Sequence, residues 1–154
     1  MNSEEYELIE NFYESLHINY PKMMQKSSIR NLEIRAGWIH LIDALCKQLY
    51  SSYERAENRL AYALKSSDIN KGPETIDELQ SSVQYEEQYL PSLLQIKEKF
   101  GRLQIYANVF KESHAECISL VQELSSTTCE ECGARGILRS SNWLRTLCDS
   151  HYLK

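Results

Sequence analysis

The chain has 154 residues, 42% hydrophobic and 25% charged, with a formal net charge of -5 and a pI near 5.4. This balance is too apolar for a disordered chain and fits one globular domain carrying a small appended module. An acidic chain lacks the phosphate-neutralising charge on which general DNA or RNA affinity rests, so composition argues against nucleic acid as a partner.

The acidity is concentrated. Residues 1–20 hold Glu4, Glu5, Glu7, Glu10 and Glu14 with no Lys or Arg, and residues 66–91 hold Asp68, Glu74, Asp77, Glu78, Glu86 and Glu87 against Lys71. Each segment sums to -5, so the rest of the chain is net positive. Solvated helix faces explain such runs, and so does a surface that steers a basic protein partner. On the second reading, the candidate contact residues are Glu4, Glu7, Glu10, Glu14, Asp77, Glu78, Glu86 and Glu87. The start Met1–Glu10 is acidic where a secretory leader needs a basic region, and no apolar run approaches the roughly 18 residues of a membrane span. The expected location is the cytoplasm.

In chain order, Asn2 or Ser3 can cap a first helix, with Glu5 as capping-box partner and Leu8, Ile9, Phe12, Tyr13 and Leu16 at helical spacing. Pro21 should end it, and residues 23–35 suit a loop with a short helix. After Gly37, a stripe of Trp38, Leu41, Ile42, Leu45, Leu49, Tyr53, Ala56, Leu60, Ala63 and Leu64 predicts a long packed helix. Lys71-Gly72-Pro73 breaks the chain, and Pro73 can open a helix through about Tyr89. This acidic insert, about 66–90, looks like a lid or arm.

Pro91 breaks again and the period changes to two. Leu94, Ile96 and Glu98, then Leu103, Ile105, Ala107 and Val109, alternate with polar residues about Phe100-Gly101-Arg102, which predicts a β-hairpin over about 92–109. A helix bearing Phe110, Cys117, Ile118, Val121 and Leu124 should close the body, residues 1–126. The expected fold is α+β, mostly helical. Cys46 and Cys117 are expected as buried free thiols.

The tail, 127–154, reads Cys129-Glu-Glu-Cys132-Gly133 and, with fifteen residues between Cys132 and Cys148, Cys148-Asp-Ser-His151. Two ligand pairs at this spacing predict a tetrahedral metal site of Cys129, Cys132, Cys148 and His151, and the ligand set suits Zn²⁺. Four protein ligands leave no open position, so the ion is expected to be structural. Between the pairs, two short strands about Ser140-Ser141-Asn142 complete a treble-clef or zinc-ribbon type of module. Arg135 and Arg139 can orient this tail against the acidic body or contact phosphate.

The run Gln95-Ile-Lys-Glu-Lys-Phe-Gly-Arg-Leu-Gln-Ile-Tyr106 and the tail, from Cys129 through Leu138-Arg139 and Trp143-Leu-Arg-Thr-Leu-Cys148 to His151, resemble a family of small, mostly uncharacterised bacterial and phage proteins. Gly37-Trp38-Ile39 with Leu41-Ile42 is similar to that family's early helix. Arg102 stands where members often carry glycine, and Gln104-Ile105 replaces an Arg-aromatic pair. The resemblance implies a compact α+β fold with bound zinc and no agreed activity. No Gly-rich phosphate loop, G-x-S-x-G or H-E-x-x-H occurs, and His17, His40 and His114 are scattered, so an enzyme is not expected. The expected function is stoichiometric inhibition of a protein partner with a basic surface, as in toxin-neutralising immunity or phage counter-defence. The alternative is a zinc-dependent nucleic-acid-binding accessory protein.

Overall fold

The computed structural model describes residues 2–65, 74–140 and 143–153. The break at 71–73, the proposed start at Pro73 and the turn residues Ser141 and Asn142 lie outside the described residues. The architecture is α+β and mostly helical, with a three-stranded sheet in the body and a two-stranded one in the tail.

Helix α1 spans Ser3–Asn19, and its cap is the one expected: the Asn2 side chain accepts from the Glu5 N–H at 2.8 Å. The Glu5 carboxylate does not close the box. It reaches across to the Ala36 N–H at 3.1 Å and to the Arg35 guanidinium at 3.0 Å. As expected, α1 stops at Asn19, ahead of Pro21. After a break at Tyr20, Pro21 is the first residue of a short helix α2, Pro21–Lys26, where a missing N–H costs nothing.

Strand β1, Leu32–Glu33, was not signalled by the local pattern. It pairs in parallel with β2, Ser92–Lys99, through Leu32 with Ile96 and Glu33 with Lys97. A 3-10 turn, Ala36–Trp38, leads into α3, Ile39–Lys65. The predicted stripe is buried from Trp38 to Ala56. Beyond that, Leu60 and Ala63 are half-buried and Leu64 is exposed, so the helix outruns the core.

The described part of the acidic insert, 74–90, packs on the body. Helix α4, Ile76–Gln88, starts three residues later than Pro73 would place it, behind a Thr75–Glu78 capping box. Leu79 is buried, and Val83 packs against the core. Lys22 pairs with Glu87 at 3.0 Å, and Lys26 donates to the Glu87 and Gln88 carbonyls at the end of α4. Lys111 pairs with Glu86.

β2 and β3, Arg102–Asn108, form the expected hairpin, turned at Phe100 (φ 55°) and Gly101 (φ 74°) as two left-handed residues require. A bulge between Leu93 and Gln95 shifts the alternation, burying Leu93 and exposing the predicted inward residue Leu94. Ile96, Leu103 and Ile105 hold the inner face. Helix α5, Glu112–Ser125, starts after Phe110, which is exposed. It covers the free edge of β3: Ser125 Oγ accepts from Leu103 N–H at 2.9 Å and Gln122 Oε1 from Ile105 N–H at 2.7 Å. Cys46 is buried, whereas Cys117 is half-buried. The tail carries β4, Ile137–Ser140, antiparallel to β5, Leu144–Leu147, then α6, Asp149–Tyr152.

Candidate metal centre

Cys129 to Gly133 make one tight turn. Cys129 N–H donates to Ala134 O at 2.7 Å, and Gly133 N–H donates back to Cys129 O at 2.9 Å. Gly133 sits at φ 77°, the left-handed conformation a side chain resists. The second pair is set by α6. Cys148 is its N-cap and its carbonyl accepts from His151 N–H at 3.2 Å, so residues i and i+3 share one face.

These two elements bring Cys129, Cys132, Cys148 and His151 together, their ligand atoms all within 4.8 Å of one another. Cys132 Sγ lies 3.8 Å from Cys148 Sγ, and His151 Nδ1 lies 3.6 Å from Cys129 Sγ and 3.2 Å from Cys148 Sγ. Tetrahedral bonds of about 2.3 Å to sulfur and 2.0–2.1 Å to nitrogen demand S···S edges of about 3.8 Å and S···N edges of about 3.6 Å. Two of the three contacts match those edges and one is shorter. The cluster therefore has the size and donor set of a four-coordinate metal site.

Burial raises the Cys129 thiol, but N–H groups of Cys148, Cys132 and Glu131 aimed at the sulfur outweigh it and bring the pKa down to about 7. Thiolate is the form that ligates. Cys129 is buried while Cys132 is exposed, so the site lies at the surface with its inner edge in the protein.

The centre is docked on the body through backbone. Gly37 N–H donates to Glu130 O at 2.8 Å and Trp38 Nε1 donates to Thr128 O at 2.9 Å. A Cβ on Gly37 would stand 2.2 Å from Cys129 O, so only glycine lets the knuckle approach. On the far side, Thr146 Oγ1 donates to Gly101 O at 2.6 Å, joining β5 to the hairpin turn.

Charge reinforces the joint in an unexpected sense. Arg35 of the body pairs with Glu5 at 3.0 Å and Glu131 at 2.6 Å, while Arg145 holds Glu130 at 2.5 Å and also Glu131. Burial pushes the Glu130 carboxyl up, against the pull of Arg145, whereas at Glu131 burial is outweighed by Arg35 and Arg145 together, which hold its carboxyl down. The acids are thus on the knuckle and a cation is on the body. Arg139 instead stays within the tail, paired with Asp149 and 4.5 Å over the Tyr152 ring, and Arg135 is exposed. Gly37, Trp38, Arg35, Glu130, Glu131 and Arg145 were not singled out as site residues. The Gly37-Trp38 pair was the available signal, whereas Arg35 and Glu131 stand 96 residues apart.

The acidic candidates divide. Glu4, Glu7, Glu10 and Glu14 are exposed along α1, and among the described residues no Lys or Arg pairs with them. Of the α4 set, Glu78 is used in the cap, Glu86 by Lys111 and Glu87 by Lys22, whereas Asp77 is exposed and has no ion pair among the described residues. Beside α1 lies a cleft of about 170 Å³ whose lining includes Tyr6, Ile9, Glu10, Tyr13, Glu14 and Arg30. Comparison with protein-family models, curated proteins and solved structures gives no significant match. Among the described residues, no helix is long and apolar enough to cross a membrane.

Proposed function

We propose that the chain is a small protein-binding protein, a stoichiometric inhibitor of a partner with a basic surface such as a toxin or phage-directed effector, held in shape by one structural Zn²⁺. The observation that carries the binding role is the row Glu4, Glu7, Glu10 and Glu14, exposed and without cationic partners among the described residues. Exposed charge left unpaired costs little alone and speeds encounter with a surface of opposite sign. The tyrosine-lined cleft beside it offers the rigid aromatic contacts that interface centres favour. Three thiolates and an imidazole suit Zn²⁺ over Mg²⁺ or Ca²⁺, and a filled tetrahedron makes the ion a clasp. Thiolates held for metal fit a reducing compartment, the cytoplasm of the producing cell. The role is binding and not catalysis.

The test is co-expression with the product of the adjacent gene. A complex should copurify, growth should be rescued, and Glu7→Lys with Glu10→Lys and Glu14→Lys should abolish both. Absence of any complex or rescue with neighbouring products sinks the reading. The tail as a nucleic-acid binder receives less support, because Arg139 is occupied by Asp149.

A further inference from the structure

Strand alternation gives the body sheet a second face, opposite the buried Leu93, Ile96, Leu103 and Ile105. Its ladder rungs are Gln95 with Tyr106, Lys97 with Gln104 and Lys99 with Arg102. Lys99, Arg102 and Tyr106 are exposed, and Gln95, Lys97 and Gln104 are half-exposed. At one end, Tyr106 and Gln95 line an open hollow of about 400 Å³ with Ser28, Arg30, Asn31 and Leu94. At the other, the Phe100 ring is 64% exposed at the hairpin turn. Lys97 Nζ lies 5.4 Å from the Tyr106 ring centre and Lys99 Nζ 5.5 Å from that of Phe100.

The charge on this face opposes that of the chain. Arg30, Lys97, Lys99 and Arg102 stand against Glu33, which accepts from Gln95 Nε2 at 3.0 Å, and Glu123, 3.8 Å from Arg102. A chain of net charge -5 therefore keeps a cationic strip around two exposed rings, with side-chain amides between them. Each element of that surface has a counterpart in one class of ligand. Phosphates meet the lysines and arginines, bases stack on the rings, and base edges meet Gln95, Gln104 and Asn31. An acidic protein would match the charge and the rings, but not the succession of cation, ring and side-chain amide along one strip, which suits phosphate, base face and base edge. We infer that the outer face of the β1–β2–β3 sheet binds single-stranded nucleic acid, along a path from the Arg30–Tyr106 hollow toward Phe100. Glu10 and Glu14, which share the α1 cleft with Arg30, bound the path on that side. The inference is independent of the inhibitor reading, since no ligand contact it assigns is made by an α1 glutamate.

The test is fluorescence anisotropy on the full zinc-loaded chain with labelled oligouridylate and oligothymidylate of about ten nucleotides, a length inside the usual site sizes. Both probes should bind at low salt; preference for one identifies RNA or DNA as the better ligand within the same class. Tyr106→Ala should weaken binding by about tenfold or more, the loss of one stacked base. Lys97→Gln with Lys99→Gln should lower the log–log salt slope by about 1.4, two phosphate contacts on a single strand. Both variants are checked by circular dichroism and metal content, so a lost fold is not mistaken for a lost contact. No binding at low salt overturns the inference. So does binding that Tyr106→Ala leaves unchanged, or poly-glutamate competing as well as the oligonucleotides, which would mark the face as an acidic-protein site.

Discussion

Gly37 shows how much one missing side chain can decide. Its Cβ position is occupied by the knuckle backbone, Cys129 O at 2.2 Å and Glu130 O at 2.6 Å. Gly37→Ala must push the tail off the body or bend α3's entry. We expect it to destabilise the protein by about 1–3 kcal/mol, the usual cost of overpacking, in urea melts at fixed zinc. His114 is a second point of leverage. It is 6% exposed with Nδ1 unpartnered, and burial, then the Lys111 charge, lowers its pKa while the nearby Glu86 opposes them. The folded protein therefore binds this proton less readily than the unfolded chain does. Stability from this group is complete above the unfolded value near 6.5 and falls as pH drops below it toward the lower folded value. Urea melts across pH 5–8 should show that loss, and His114→Gln should flatten it. The sequence placed His114 on a helix but could not tell which face would be buried, since α5 contacts β3 through residues remote in sequence.

At the scale of elements, helices announced themselves wherever their apolar stripe met the core. Leu41 to Ala56 was legible because these buried positions form one stripe of a single long helix, with Trp38 just ahead of it in the 3-10 turn. Strand β1 was not, because two residues carry no period and exist as a strand only through β2. The Leu93–Leu94 bulge was hidden for a related reason: register belongs to a pair of strands, not to one. Helix α4 is the best place to test whether the acidic insert is anchored. Thr75→Ala removes the side-chain half of its cap, the Oγ1 that accepts from Glu78 N–H, and should cost about 1 kcal/mol, with faster amide exchange confined to α4. Uniformly fast exchange of α4 in the unaltered protein would contradict the tethering by Lys22, Lys26 and Lys111.

On the scale of the whole molecule, the clustering of Cys129, Cys132, Cys148 and His151 was legible, because C-x-x-C and C-x-x-H are local geometries. What the spacing could not supply was the joint. Its partners, Arg35 with Glu131 and Thr146 with Gly101, are brought together only by the finished fold. Charge told a similarly partial story. A net value of -5 argued against nucleic acid, yet the fold sorts glutamates onto α1 and cations onto the sheet. The central claim is that a zinc clasp, seated on Gly37 and Trp38, completes this fold. Native mass spectrometry of purified protein, followed by chelation under circular dichroism and tryptophan fluorescence, tests it most directly. The account predicts one zinc per chain, with loss of the ion releasing the tail and exposing Trp38, and Cys132→Ser reproducing the released state. A metal-free chain whose tail stays docked and whose Trp38 stays buried would contradict it.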